Sequence, residues 1–388
     1  STLADELKKT GLIRENGKRD LSVIRERVAV AYGDTTPRSE KGNIQTSGEI
    51  LKESGDDKLI QLAEYQDLDK LKGTFGPTLT SASKRTLSPR WNPLVRSGRV
   101  SCTKPNLQQL PRAGGVRECF APREGMIYCG ADYSTAELIA LAHVCESWGI
   151  QSHMGAAIRE GMDLHLALAA DLISPTITYQ EAKSRYDAGD KEIKKYRSLA
   201  KIPNFGLSGG LGVSGLQRFA KSSYGVELSL QECQQLKRGW FKRWPEMHSY
   251  FKRIEVAEKR GYITQLYSGR RRGGIGYTDG ANTMFQGLIA DGAKMALYDV
   301  VRACWAEPKS ALFGCRPILF IHDEIIIEAP QEQAHAAAEE LARLMVQAMR
   351  PCLGDLPISV DPWVSARWSK SNEEKRNAQG ELIDCWDA

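Results

Sequence analysis

An apolar run broken by charge constrains this chain more than any other stretch. "PILFIHDEIIIEAP", from Pro317 to Pro330, has enough Ile, Leu and Phe for buried strands, yet His322, Asp323 and Glu324 sit in its middle. Unpaired buried carboxylates cost several kcal/mol or shift their pKa until they neutralise. Two apolar runs around a short polar break read as a hairpin with the acids at or near its turn. A second apolar strand, "GMIYCGADYS", ends at Asp132, and an amphipathic helix follows from about Thr135 to Glu146. Two Asp side chains from neighbouring strand ends can bridge two Mg²⁺ ions roughly 3.5–4 Å apart, and the cations supply the missing counter-charge. "HDE" by itself favours a structural role. Its pairing with "ADYS" moves the reading towards a metal site.

"KEIKKYRSLAKIPNFGLSGG" is the third informative stretch. Arg197, Lys201 and Phe205 are spaced i, i+4, i+8 and drift only about 40° per step, so they share a helix face. Two cations and an aromatic ring suit a triphosphate lying along the helix with its base stacked on the ring. A solvated basic face with Phe205 in the core is the alternative. Pro203 predicts a bend there or an earlier helix end.

The rest of the chain supplies a frame. Residues 1 to about 74 mix short helical patterns with a polar middle. "TLSPRWNPLVRSGRVSCTKPNLQQLPRAGG" is too rich in Pro and Gly for a long helix and reads as turns and short strands carrying Arg90, Arg96, Arg99 and Arg112. Helical patterns dominate to about residue 260, with capping boxes at Thr178/Glu181 and Ser229/Glu232. The second box opens a long helix on which Leu236, Trp240, Met247, Phe251 and Ile254 recur. A helix around "TMFQGLIADGAKMALYDVVRAC", the strand pair, the helix "EQAHAAAEELARLMVQAM" and the strand "PISVDPWV" follow. The tail from Trp368 is polar and expected to be mobile.

At 388 residues and 41% hydrophobic content, the chain can build two or three subdomains. A net charge of +5 suits an anionic partner without demanding one. Nine dispersed cysteines give neither a disulfide framework nor a zinc signature, and read as free thiols in a reducing compartment. No apolar stretch approaches about 18 residues, so no membrane span is expected. The opening "STLADELKKTG" lacks an initiator Met and a signal pattern, as in a processed or excised piece.

Taken in order, these pieces resemble the family A DNA polymerases, the DNA polymerase I type, from about residue 45 to 370. "DYSTAEL" resembles the first palm motif, "RSLAKIPNFG" the fingers-helix motif and "HDE" the second palm motif. "SGRVSCTKPNLQQLP", "GYITQLYSGRRR" and "ANTMFQG" also fall in the family's order. The resemblance implies an α+β right-hand polymerase fold with an antiparallel palm sheet. Its regions are an abbreviated thumb (1–74), palm (75–145 and 279–370), helical fingers (146–278) and a polar tail (371–388).

By this resemblance Asp132, Asp323 and the Tyr133 carbonyl hold two Mg²⁺ ions, Mn²⁺ being an expected substitute, with Glu324 a supporting carboxylate. Arg197 and Lys201 grip the incoming dNTP, Lys201 also being placed to protonate pyrophosphate. Phe205 stacks on the nucleotide, and Glu137 crowds the sugar 2′ position. His165 matches a His near the triphosphate, a packed structural His being the alternative. Arg99, Asn106, Gln108, Asn282, Gln286 and His322 fall at positions that contact primer–template DNA. Amides and Arg suit the minor-groove acceptors common to every correct pair. Arg270, Arg271 and Arg272 are further candidates for backbone contact, as are Lys237, Arg238, Lys242 and Arg243, which equally suit a solvated helix.

Departures stand beside the match. Gly209 replaces the family's Tyr at the end of the fingers helix, Thr135-Ala136 replaces Gln-Ile, and Ile139 replaces Arg. The implied protein is a monomeric, cytoplasmic DNA polymerase of a bacterium or phage-infected cell (an organelle being the alternative), without proofreading exonuclease in this chain. The resemblance leaves open an upstream nuclease or helicase domain and a processivity factor. A single-subunit RNA polymerase and a non-catalytic primer–template binding module are the competing readings.

Overall fold

The computed structural model describes residues 2–39, 42–83, 86–111, 115–369 and 371–384, with backbone alone at 78 and 81. Arg112 lies outside them. The chain divides into two units, Ser1–Ser88 and Pro89–Ala388.

Helices α1 (Leu3–Lys9), α2 (Leu21–Tyr32), α3 (Gly48–Glu53) and α4 (Asp57–Ala82) make the first unit. Asp20 and Asp56 cap α2 and α4 by accepting backbone N–H groups, and Asp56 also accepts from Arg27 at 2.9 Å. The helices close over Leu7, Leu12, Ile24, Val28, Leu51, Leu59 and Leu62. α4 continues past residue 74, through Pro77, to Ala82.

In chain order the second unit has β1 (Arg90–Asn92), β2 (Ser101–Thr103), β3 (Met126–Tyr133), α5 (Ala136–Ser147), α6 (His153–Arg159), α7 (Leu164–Ile173), α8 (Tyr179–Asp187) and α9 (Lys191–Gly206). Next come α10 (Val213–Tyr224), α11 (Leu230–Arg243), α12 (Glu246–Arg260), β4 (Tyr262–Thr264), β5 (Arg271–Gly273) and α13 (Tyr277–Ala306). The unit ends with β6 (Arg316–Ile321), β7 (Glu324–Pro330), α14 (Ala334–Leu353) and β8 (Val360–Ser365).

β6, β7, β3 and β8 form, in that order, a four-stranded antiparallel sheet. One face of β3 turns to α14: the Tyr133 hydroxyl donates to the Met345 carbonyl at 2.7 Å, and the Cys129 thiol meets that of Ala334 at 3.3 Å. On the other face the Trp363 indole lies so close to Gly130 that an added Cβ would sit 2.1 Å from it. Only glycine fits there. α14 packs on α13, and α13 on α5, joining the sheet to the helices.

Four details differ from the sequence expectations. The long helix from Ser229 is two helices, broken at Trp244-Pro245, because Pro245 has no N–H to bond back and its ring opposes the carbonyl four residues earlier. The earlier helix end expected as one outcome at Pro203 does not occur, since α9 runs through it to Gly206, where burial of Ile202, Pro203 and Asn204 offsets one lost helix bond. The Ser229/Glu232 capping box is complete, whereas at Thr178 only the bond from the Glu181 N–H to the hydroxyl forms. The segment after Trp368 is docked: Leu382 is buried, Arg376 pairs with Glu339 at 2.6 Å and Asp384 meets His335 at 3.0 Å. Its sparse apolar residues are enough to anchor it once ion pairs hold the rest.

Eight cysteines are described, all free thiols, and only Cys119 is exposed. Among the described residues no helix is long and apolar enough to cross a membrane.

Candidate active site

β3 delivers Asp132 where the strand stops. The Ser134 N–H donates to the Ser359 carbonyl at 3.0 Å, and Thr135 takes left-handed backbone (φ 55°) that turns the chain into α5. Beside it, Ile321 and Glu324 pair and leave a two-residue turn, His322–Asp323. His322 has φ 58°, the positive value that primed hairpin turns need at their first residue. Among the described residues the non-glycine positions with positive φ are Lys104, Thr135 and His322. Two of these three turns carry the acids' strand ends, where backbone strain tends to be kept for function.

Register sets the chemistry. Asp132 lies directly opposite Glu324 on β7 and Asp361 on β8, so the three acids form one row on one face, with Asp323 at the adjoining turn. Like charges placed across strands destabilise a sheet. Burial, with repulsion from Asp132 and Glu137, pushes the Asp323 pKa up to about 7 against the attraction of Arg99. The structure thus brings Asp132 close enough to Asp323 for its charge to raise the Asp323 pKa.

Mg²⁺ fits this arrangement. Among the described residues no three His, Cys, Asp or Glu side chains form a ready-made metal cage. Mg²⁺ needs none, since one or two carboxylates hold it while waters and substrate phosphates complete its shell. Burial and the neighbouring acids raise the Asp323 carboxyl, and a cation held between the acids would favour its charged form.

α9 presents the cationic face. The Asp163 carboxylate caps α7, accepting from the His165 and Leu166 N–H groups at 2.9 and 3.0 Å, and its second oxygen accepts from Arg197 Nε at 2.6 Å. The Arg197 guanidinium also lies 5.2 Å from the Tyr186 ring centre. Lys201, one turn on, forms no ion pair among the described residues. Phe205 is half-buried with its ring 5.2 Å from that of His165.

The His165 tautomer follows from its neighbours. Trp240 and Trp244 both donate their indole N–H to Asn204 Oδ1, at 3.1 and 3.2 Å, which turns the Asn204 amide nitrogen towards His165 Nδ1 at 2.9 Å. Nδ1 therefore accepts and the proton sits on Nε2. Burial pushes the His165 pKa down to about 4; Asp163 opposes this, while Arg197 and Lys201 reinforce it. His165 is thus a packed, neutral side chain beside the α9 cations.

The remaining sequence candidates fall into two groups. Arg99 donates to Glu137 at 2.7 Å, a half-buried pair beside the acids. Asn106 Oδ1 accepts from the Cys102 thiol at 3.6 Å, and His322 is exposed at the hairpin turn. Gln108 is buried, and its amide nitrogen donates to the Val100 and Phe320 carbonyls at 3.1 and 2.9 Å, tying its loop to β6. Asn282 donates to the Gly209 and Thr278 carbonyls at 3.3 and 2.8 Å and accepts from Gln286 at 3.4 Å. Arg271 stacks on Tyr262, 4.7 Å from its centre, and Arg272 pairs with Asp279 at 2.7 Å. Arg270 turns inward, with Nη1 on the buried Asp291 at 2.6 Å and Nη2 filling the space a Cβ at Gly98 would need. A buried carboxylate without that partner would be costly.

Sequence reasoning missed Asp361, Asp163 and Asn204. Asp361, whose carboxylate accepts from the Ser134 hydroxyl, interrupts "SVDPWV" as the acids interrupt "HDE". Asp163 stands at the start of an apolar helix, an ordinary cap signal. Asn204 gives no signal, because its partners come from a separate helix.

Residues 21–370 match the model of DNA polymerase family A. DNA polymerase I of Aquifex aeolicus is 28% identical over 86% of this chain and 55% of its own length. The thermostable DNA polymerase I of Thermus aquaticus is 27% identical over 87% of this chain and 40% of its own. The chain thus spans about half, or less, of these relatives' length. The POL domain of Pol1 from M. smegmatis, solved in complex with DNA primer-template and dNTP, superposes with a TM-score of 0.71 at 23% identity. It covers 94% of this chain and 63% of that one. That likeness supports the expected α+β polymerase fold. Since the family match takes in the acidic row, the cationic face of α9 and the helices between them, this chain belongs to DNA polymerase family A.

Proposed function

We propose that the chain is a template-directed DNA polymerase that adds dNTPs to a primer 3′-hydroxyl by two-metal nucleotidyl transfer. The observation that carries this is the convergence of Asp132 and Asp323, the Asp323 carboxyl being raised to about 7 by burial and by the charges of Asp132 and Glu137.

Asp132, Asp323 and the Tyr133 carbonyl would hold Mg²⁺, or Mn²⁺ in its place, with Glu324 in support. When bound, the ions supply Lewis acidity that lowers the pKa of the primer hydroxyl and neutralises charge on the triphosphate. Arg197 and Lys201 bind the triphosphate, and Lys201 delivers a proton to the departing pyrophosphate. His165, with its proton on Nε2, adds a neutral donor beside them. Phe205 stacks on the base and excludes water. Glu137, steadied by Arg99, crowds a 2′-hydroxyl and so selects deoxyribose.

In this reading residues 1–74 serve as thumb, 75–145 and 279–370 as palm, and 146–278 as fingers. Arg99, Asn106, Gln108, Asn282, Gln286, His322 and Arg271 follow the primer–template, Arg270 bracing the loop beneath them. The chain works as a cytoplasmic monomer without its own proofreading exonuclease. Primer extension tests the assignment: Asp132→Ala and Asp323→Ala should each abolish synthesis while binding primer–template. Extension by either variant would refute the metal assignment, and wild-type extension with rNTPs in preference to dNTPs would favour an RNA polymerase.

A further inference from the structure

Arg99 reaches Glu137 from a loop that has no regular structure of its own. Residues 93–100, between β1 and β2, form turns and open chain, a segment with much conformational freedom to lose unless other elements hold it. Side chains around it do so. Lys294 on α13 donates to the Pro93 carbonyl at 2.8 Å, and Arg96 donates to the Gly273 and Gly274 carbonyls at the end of β5, at 3.2 and 3.4 Å.

The last support lies under Gly98, the residue before Arg99. Gly98 has φ 91°, a left-handed value open to glycine, and its N–H closes a turn on the Val95 carbonyl at 2.8 Å. The Arg270 guanidinium occupies the place of the missing side chain: a Cβ added to Gly98 would lie 2.5 Å from Arg270 Cζ. Arg270 is two-thirds buried and is itself anchored, with Nη1 on Oδ1 of the buried Asp291 at 2.6 Å and its carbonyl accepting from the Gln265 N–H at 2.9 Å. Gly287, one turn before Asp291 on α13, leaves room for Gln265 and the loop, since a Cβ there would lie 2.9 Å from Gln265 Oε1 and 3.1 Å from the Ser97 carbonyl oxygen. Contacts therefore run from α13 through Asp291, Arg270 and Gly98 to Arg99, and from Arg99 to Glu137 at 2.7 Å. A gap of about 0.5–1 Å is enough to weaken a van der Waals contact, so whatever sets the course of Arg99 also sets how closely Glu137 can crowd a sugar.

We propose that Arg270, fixed by Asp291, is a positioning residue for sugar selection, holding the Gly98–Arg99 turn so that Arg99 keeps the Glu137 carboxylate against the 2′ position. The inference rests on the polymerase reading.

The test is single-turnover insertion of one dNTP and of the matching rNTP by the full chain, read as the ratio of the two efficiencies. Wild type is compared with Glu137→Ala, Arg270→Lys and Gly98→Ala. Lysine retains a cation for Asp291 but not the flat guanidinium that fills the Gly98 position. Gly98→Ala pushes on that guanidinium from the other side and leaves the Asp291 pair its charges. Each of these two should lower the dNTP preference roughly tenfold, the worth of one good contact. Added to Glu137→Ala, neither should lower it further, since both act through that carboxylate. Equal losses on dNTP and rNTP would make Arg270 a DNA contact or a brace of the fold alone, and further loss in the double variants would make it act apart from Glu137; each overturns the proposal. Should Arg270→Lys not fold, Gly98→Ala decides by the same ratio. If wild type inserts no dNTP, or Glu137→Ala keeps the full preference, the polymerase reading of this site fails. If Glu137→Ala relaxes the preference and the other two do not, only this inference fails.

Discussion

Asp323→Asn should stabilise this protein while destroying its chemistry. Folded, the Asp323 carboxyl binds its proton up to a pH of about 7, against an ordinary value of 3.8, because burial and the charges of Asp132 and Glu137 oppose ionisation. A group whose pKa is raised by folding costs nothing below the unfolded value, and a growing amount as pH climbs towards the folded one. The difference of about three pKa units corresponds to about 4 kcal/mol. Asp323 keeps part of its surface in solvent, which screens the repulsion and leaves about 2 kcal/mol. For a unit of this size that is a Tm gain of about 4 °C. The assay is differential scanning calorimetry in EDTA at about pH 5 and pH 8. The variant should melt near the wild type at the lower pH and clearly above it at the higher one, and added Mg²⁺ should raise the wild-type Tm at pH 8 while leaving the variant's unchanged. A variant that melts below wild type by the same margin at both pH values would refute the charge argument.

Phe205→Tyr, by restoring a ring hydroxyl, should raise dideoxynucleotide incorporation roughly tenfold, the worth of one good hydrogen bond; unchanged discrimination in single-nucleotide kinetics would remove Phe205 from the site. Asn204→Leu leaves two buried indole N–H groups and His165 Nδ1 without their partner, so urea denaturation should show a loss of at least about 3 kcal/mol. Gly209→Tyr drives its Cβ to 2.7 Å from Asn282 Oδ1 and should cost about 1–3 kcal/mol; Asn282→Ala in the same chain should recover most of it, as a double-mutant cycle would record.

The sheet was legible where two signals coincided. Alternating or continuous apolar runs located β3, β6 and β7, and the three-residue polar break placed a hairpin turn among His322–Glu324, so the meeting of Asp132 with Asp323 could be expected before any coordinates. The α9 face was legible for the same reason, its spacing surviving Pro203 because packing outweighed one missing hydrogen bond. Legibility failed where partners come from distant elements. Nothing near Arg270 in sequence announces Asp291 on α13, so a surface cation and a buried anchor look alike. Asn204 likewise depends on Trp240 and Trp244, which a periodicity reading assigns simply to core. The docked tail escaped because hydropathy alone cannot register ion pairs such as Arg376–Glu339.

The order of strands in the sheet also governs how the molecule can be made. β3 is synthesised before, and β6 and β7 after, the whole helical insertion, so the central strand must wait with both edges open while the intervening helices emerge. Such late, long-range pairing is slow and leaves an adhesive edge exposed. A chain cut in the turn between α13 and β6 should therefore yield two inert pieces, and any activity recovered on mixing them would time the closing of the sheet.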